Sequence, residues 1–244
     1  MDAIQTVDLA KHFSKTVAVK GLNLSIAQGE LFALLGVNGA GKTTTIKMLS
    51  CLCPPTSGDA FLLGHSIVTH PQAVKAQINV SPQETAVAGN LTVGENLELI
   101  AGLYGCKHSL AKEKTLEMLK ALDLTEVCNR RAKSLSGGMQ RRLSIAMALI
   151  SSPSILFLDE PTLGLDVLAR RELWQLIQGL KGRITIILTT HYLEEAQALS
   201  DRIGIMAKGS LKAVGTANEL MAQTGSSTFE DAFVTLAAGK EALQ

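Results

Sequence analysis

The chain has 244 residues, just under the roughly 250–300 at which a single core usually splits, so one large domain is expected. Its composition, 46% apolar and 18% charged with a net charge of +1, is that of an ordinary globule, and the near-neutral balance gives nucleic acid no electrostatic claim as main partner. The start "MDAIQTVDLAKHF" lacks the layout of a signal peptide, and the four cysteines lack metal-ligand spacing, so a cytosolic chain with reduced thiols is expected.

In chain order, "ELFALLG" (Glu30–Gly36) is a short apolar run closed by glycine and predicts a buried strand. The following "TTTIKMLSCL" has helical character, with Ile46, Leu49 and Leu52 one turn apart. From about Thr92 to Ile150 the pattern changes: "GENLELIAGLYG" and "SLAKEKTLEMLKALDL" read as helices, without a convincing buried strand. The stretch "SLSGGMQRRLSIAMALI" (Ser134–Ile150) opens on a serine and two glycines. It continues as a helix whose apolar set is Leu143, Ile145, Ala146, Leu149 and Ile150, while Arg141 and Arg142 stay polar. The apolar tract Leu143–Leu158 is broken by Ser151, Ser152, Pro153 and Ser154 and falls short of a membrane span. "SILFLDE" (Ser154–Glu160) and "RITIILTTH" (Arg183–His191) predict two more buried strands. Between them Leu173, Leu176, Ile177 and Leu180 form a helical stripe that stops at Gly182. After Gly225, Phe229, Phe233 and Leu236 suggest a last helix packing back. Strands alternating with helices predict an α/β fold with a mostly parallel sheet covered on both faces.

The chemistry concentrates at strand ends. "GVNGAGKTT" (Gly36–Thr44) matches a phosphate loop, between a strand and a helix. Gly39 and Gly41 let backbone N–H groups wrap phosphates, Lys42 can reach the β and γ oxygens, and Thr43 can ligate Mg²⁺. In "ILFLDEP", Asp159 ends a buried strand, where an acid can hold Mg²⁺ through water. Glu160, next to it, can accept a proton from an attacking water. His191 ends the third strand, the end at which open α/β sheets bind ligands, and can bond the γ-phosphate or that water. Gln83 in "VSPQE" can sense the same γ-phosphate and Mg²⁺. Ser136, Gly137 and Gly138 look like a second phosphate cradle at a helix N-terminus, although the chain already holds a complete one.

The ordered set "GVNGAGKTT", "SPQE", "LSGGM", "LFLDEP", "GLD" and "TTH" closely resembles the nucleotide-binding subunit of ATP-binding-cassette (ABC) transporters over nearly the whole chain. The resemblance implies a P-loop NTPase core of α/β type, a small antiparallel N-terminal β part and a helical subdomain insertion. The implied single domain has its core at about 1–91 and 151–224, the helical subdomain at about 92–150 and a tail at about 225–244. It also implies a second cassette packed head to tail, so that Ser136, Gly137 and Gly138 bind in trans the ATP held by Gly36, Asn38, Gly39, Ala40, Gly41, Lys42, Thr43 and Thr44. Phe13 matches the aromatic that stacks on adenine, where Tyr is usual. Asp166 matches the loop that touches the partner, and Gln83–Glu95 resembles the hinge that receives a permease helix. Met139 and Val167 stand where Gln and Pro are frequent, and neither change removes a group with assigned chemistry. The resemblance is strongest to the antibiotic- and multidrug-export branch, whose ATPase is separate from its permease. It implies Mg-ATP hydrolysis by a homodimer at the cytoplasmic face of the membrane, driving export of a drug-like or lipid-like molecule. A soluble ABC ATPase of cofactor assembly is the alternative.

Overall fold

Two long strands, β1 (Asp2–Phe13) and β2 (Thr16–Ala27), open the chain as an antiparallel hairpin. β2 alternates exposed Lys20, Asn23 and Ser25 with buried Leu22, Leu24 and Ile26, the period of a half-buried strand. With β4 (Ser57–Leu62) and β5 (His65–Ser66) they form the antiparallel sheet β2-β1-β4-β5. The computed structural model describes residues 2–238, so positions 239–244 of the expected tail lie outside the described residues.

The second sheet runs β10-β9-β3-β8-β7-β6. It contains β3 (Leu31–Leu35), β6 (Ile78–Ser81), β7 (Ile155–Asp159), β8 (Thr185–Thr190), β9 (Arg202–Ala207) and β10 (Ser210–Gly215). All its pairs are parallel except β9 with β10. Every residue of β3, β7 and β8 is buried, as strands covered on both faces must be. Their side chains divide among three cores, Ala33 and Leu35 joining the one under the two C-terminal helices. Leu156, Leu158, Ile186 and Leu188 face the helical side, while Phe32, Leu34, Phe157 and Ile187 pack against the antiparallel sheet and α1 (Lys42–Leu49). Fully burying each such side chain is worth about 1.5–3 kcal/mol.

Between β6 and β7 the chain is helical: α3 (Val93–Leu103), α4 (His108–Ala121) and α5 (Gly137–Leu149), joined by short 3₁₀ turns. A reciprocal Thr92–Glu95 capping box starts α3. Two short helices flank the second sheet, α2 (Pro71–Lys75) ahead of β6 and α7 (Leu193–Leu199) behind β8, and α6 (Val167–Gln178) links β7 to β8. The chain closes with α8 (Ala217–Thr224) and α9 (Phe229–Ala238), which packs Phe229, Phe233 and Leu236 against β9 and β10.

Two sequence expectations are corrected. The helix after the phosphate loop ends at Leu49, and Cys51 takes a positive φ of 56°. Leu52 is therefore 67% exposed and does not extend the Ile46–Leu49 stripe. Arg141 and Arg142 do not form a solvated face. They are 3% and 8% exposed, because α5 is enclosed between the sheet, α4 and α6 and their charge is met by protein groups.

Candidate active site

Parallel pairing sets the ends of four strands side by side. Leu35 pairs with Thr190, Asp159 with Thr189, and Ser81 with Leu158. The segments that follow these strands therefore emerge along one edge, where α/β sheets bind ligands. After β3 comes the phosphate loop, after β7 Glu160, after β8 His191, and after β6 Gln83.

The phosphate loop needs its glycines for different reasons. Gly41 has φ 107°, and a Cβ on it would lie 2.5 Å from the Ala18 carbonyl oxygen. A Cβ on Gly36 would lie 2.3 Å from the Met206 carbonyl oxygen, so strand and loop approach too closely for any side chain. Lys42, buried at the first turn of α1, donates to the Gly36 carbonyl at 2.7 Å and lies 3.3 Å from Glu160 Oε1. His191 Nδ1 sits 2.7 Å from the other oxygen of Glu160. Glu160 takes a left-handed φ of 47°, a strained choice for a residue with a side chain. Its N–H donates to the Thr189 carbonyl and hydroxyl oxygens, both at 3.1 Å, which holds that conformation. The Thr189 hydroxyl in turn bonds Asp159 Oδ1, which lies 3.2 Å from Thr43 Oγ1.

These groups open into a cleft of about 560 Å³ lined by Phe13, Asn38, Gly39, Ala40, Gly41, Lys42, Thr43, Thr44, Gln83, Glu160 and His191. Phe13 is not part of any of the three cores. It is 49% exposed at the end of β1, with the Lys11 ammonium 5.1 Å from the centre of its ring. Ser136, Gly137, Gly138 and Asp166 are absent from this cleft's lining. They stand together elsewhere: a Cβ on Gly138 would be 3.1 Å from the Ala169 Cβ, and one on Gly137 would be 3.9 Å from Leu165. Ser136 caps α5 by accepting from the Met139 N–H at 3.3 Å. Asp166 caps α6, accepting from Leu168 and Ala169 at 2.9 Å.

Sequence reasoning missed the struts of the site. The Arg141 guanidinium donates to the carbonyls of Asp159 and Pro161, each at 2.8 Å, and to those of Pro82 and Gln83. One buried side chain on α5 thereby ties the helical region to the Asp159–Glu160 turn and to the start of the Gln83 segment. Burial pulls its pKa down to about 10, opposed by the charges of Asp159 and Glu195. The signal was its place one turn before Ile145 and two before Leu149, on an apolar row. Asn96 likewise holds the segment beyond Gln83, accepting from the Ala88 N–H at 2.8 Å and donating to the Thr92 carbonyl at 2.8 Å.

The cleft fits a nucleoside triphosphate with its metal. Backbone N–H groups and Lys42 face one end, an open aromatic ring the other, and the adjoining Thr43 and Asp159 oxygens are hard donors. Among the described residues no cluster of three or more His, Cys, Asp or Glu could hold a metal unaided.

Comparison with known proteins agrees with this geometry. The family model described as "ABC transporter" matches residues 19–163. The chain belongs to the ABC transporter family. It is an ABC ATPase chain, 41% identical over 225 residues to the daunorubicin/doxorubicin resistance ATP-binding protein DrrA of Streptomyces peucetius, covering 92% of this chain and 68% of that protein. The human phospholipid-transporting ATPase ABCA3 is 44% identical over 214 residues, 84% of this chain and only 13% of that protein's length. Among solved structures, an ATP-binding subunit of an ABC transporter superimposes with a TM-score of 0.84 at 28% identity, over 96% of this chain and 99% of that one. An ATP-binding cassette solved as a dimer in a post-hydrolysis state, with ADP and Pi, superimposes with a TM-score of 0.77 at 26% identity, over 87% and 98%. The α/β P-loop fold expected from the sequence is thus the fold of this ABC ATPase.

Proposed function

We propose that this chain is the ATP-hydrolysing subunit of an exporter whose membrane path is a separate permease, and that it works as a head-to-tail homodimer. The observation that carries the dimer is a division of labour within one chain. The phosphate-loop cleft and the Ser136–Gly138 helix end each have the chemistry to bind an anion, and the second does not line the first. A second copy would bring the helix end of one chain to the open side of the other's nucleotide, where free N–H groups and the helix dipole favour the γ-phosphate. The Asp166 turn, flanked by exposed Leu163, Val167 and Leu168, lies beside that helix end and would be buried by the same contact.

In this reading Phe13 stacks on the adenine, and Gly36–Thr44 wraps the phosphates. Thr43, Gln83 and, through water, Asp159 would hold Mg²⁺, which would supply neutralisation of the charge developing on the phosphates. Lys42 turns from Glu160 to the β and γ oxygens, which frees Glu160 Oε1 to take a proton from the attacking water. His191 stays on the other carboxylate oxygen and orients the base. The single domain, its helical subdomain at about 92–150 and the cytoplasmic face as site of action follow from the same reading.

The export role is supported by the antibiotic-resistance protein DrrA, to which this chain is similar over most of its length. Among the described residues no helix is long and apolar enough to cross a membrane, so this part of the protein supplies no span. A shallow groove lined by Pro82, Ala86, Ile100, Tyr104 and Met147, beside the Gln83 segment, is the place for a permease helix. The test is fractionation of source cells together with ATPase assays over a range of protein concentrations. The protein should sediment with membranes, and its rate should rise more than linearly with concentration, an effect lost in Gly138→Asp. A wholly soluble protein, or a linear rate indifferent to Gly138→Asp, would overturn the transporter or the dimer reading respectively.

A further inference from the structure

Arg141 is a buried cation whose bonds all go to main-chain carbonyls. Among the described residues no carboxylate stands within ion-pair distance of it. Taking a guanidinium out of water without a countercharge is costly, and a leucine would fill the same row of α5 without that cost. The charge is accounted for by the four carbonyls, and their places are specific. Nε donates to Pro161 and Nη2 to Asp159, each at 2.8 Å, so two bonds bracket Glu160. Nη1 donates to Pro82 and, at 3.3 Å, to Gln83.

The sheet explains why a side chain is needed there. The parallel ladder of β6 and β7 runs from Ile78–Ile155 to Ser81–Leu158. The next pair in register would be Pro82 with Asp159, but proline has no N–H to give. The ladder therefore stops where the two site segments begin. The guanidinium takes over from it, a planar fork whose donors reach both strands at once. One turn further along α5, the hydroxyls of Ser144 and Ser81 bond at 3.0 Å and set the helix against the end of β6. The segments that Arg141 joins carry Asp159 and Gln83. Asp159 Oδ1 lies 3.2 Å from Thr43 Oγ1, and Gln83 lines the same cleft as Thr43.

We propose that Arg141 is a positioning residue for the metal of Mg-ATP: its main-chain bonds set the spacing of Asp159 and Gln83, and so how tightly the two can hold Mg²⁺. Arg141 is itself absent from the lining of the cleft and acts only through these residues. The inference rests on the reading of Asp159 and Gln83 as Mg²⁺ ligands. It gives α5, whose N-terminus would meet the partner's ATP, a rigid link to the metal side of its own chain's site.

The experiment measures the dissociation constant of radiolabelled ATP in excess Mg²⁺ and in EDTA, in a Glu160→Gln background so that the ATP survives. The EDTA constant divided by the Mg²⁺ constant is the factor by which the protein tightens the metal's hold on ATP. Arg141→Ala should lower that ratio by about 10–100-fold, the usual effect of removing a group that orients metal ligands, with the EDTA constant unchanged. Arg141→Lys keeps the charge but cannot span both segments, and should show most of the same loss. Arg142→Ala is the control for stability alone. Arg142 is the next residue of α5, is 8% exposed, and bonds Asp123 and Glu172, neither of which lines the cleft. Its loss should lower the urea midpoint and leave the ratio as it was. An unchanged ratio in Arg141→Lys, or an equal fall in Arg142→Ala, would overturn the proposal. If Arg141→Ala does not fold, Arg141→Lys still decides. Asp159→Asn separates this inference from the reading beneath it. An unchanged ratio in Asp159→Asn removes the metal assignment itself, whereas a lowered one beside a normal Arg141→Lys removes only the role of Arg141.

Discussion

Glu160 is held at an uncommon φ of 47° by two bonds from its own N–H, with Lys42 on one carboxylate oxygen and His191 on the other. Strain of this kind, about 1–3 kcal/mol per residue, persists where the surroundings over-determine it. It also aims the carboxylate into the cleft instead of along the sheet. Glu160→Gln should therefore slow hydrolysis by about 10²–10⁴, the usual worth of a general base, while radiolabelled ATP remains bound; normal turnover would remove the assignment. Glu195 makes a second residue-scale prediction. Burial holds its pKa above the ordinary value, the nearby Glu160 carboxylate pushes the same way, and the Trp174 indole N–H bond opposes them. A raised folded-state pKa means the folded protein binds this proton more tightly than the unfolded chain. The resulting stability is full below the unfolded glutamate pKa and is lost as pH rises through the folded one. Urea midpoints should show this decline with rising pH in the wild type, and the decline should be smaller in Glu195→Gln. Parallel curves for the two proteins would mean that Glu195 is already ionised when folded.

At the scale of elements, α5 and α6 meet at their N-termini, where Gly138 lies against Ala169, Ser136 caps α5 as a serine there should, and α6 is capped by a side chain the sequence had marked for another purpose. Asp166 was expected at the partner contact, yet its carboxylate already accepts from Leu168 and Ala169. The two roles separate by substitution. Asp166→Ala should destabilise the chain by about 1 kcal/mol in urea titrations, whereas Asp166→Ser keeps a cap and should retain most of that stability. A fall in turnover with Asp166→Ser then reports the contact with the partner, and full turnover would leave Asp166 a cap only. What the sequence disclosed follows the same physics. β3, β7 and β8 were legible because strands buried on both faces read as unbroken apolar runs. The phosphate loop was legible because its glycines answer backbone demands that no other residue meets. β6 was not, since Ile78–Ser81 is four residues long and half-buried, and β9 and β10 hide among glycines and lysines. Arg141 was misplaced because its charge outweighed its place on the Ile145–Leu149 row, and periodicity carries no information about partners. It says nothing of four carbonyls waiting inside, which only the tertiary arrangement of β7, the Gln83 segment and α5 creates.

At the scale of the whole molecule, the two half-sites of the chain make a prediction that neither could make alone. A Lys42→Ala copy loses its own phosphate loop and keeps a sound Ser136–Gly138 helix end. A Gly138→Asp copy keeps the phosphate loop and carries a repelling carboxylate where the γ-phosphate should sit. Each variant by itself should hydrolyse ATP hardly at all, because every composite site in its homodimer lacks one half. In an isologous pair the two sites are built from opposite halves, so a mixed dimer of the variants holds one doubly broken site and one intact site. Equal amounts mixed at random give half mixed dimers with one working site of two, and activity should recover to about a quarter of the wild type if the sites act independently. ATP joins the two halves in this scheme, so at a hundredfold over its dissociation constant it can contribute about 2.7 kcal/mol to association. The recovered activity should accordingly fall on dilution faster than in proportion to protein. No recovery at concentrations where the wild type is active would mean either that the sites cannot fire singly or that they are not shared. Crosslinked mixed dimers isolated with two tags decide between these: activity from them, assayed with Glu160→Gln in the Gly138→Asp copy as the silent control, assigns the working site to one phosphate loop and the other copy's helix end.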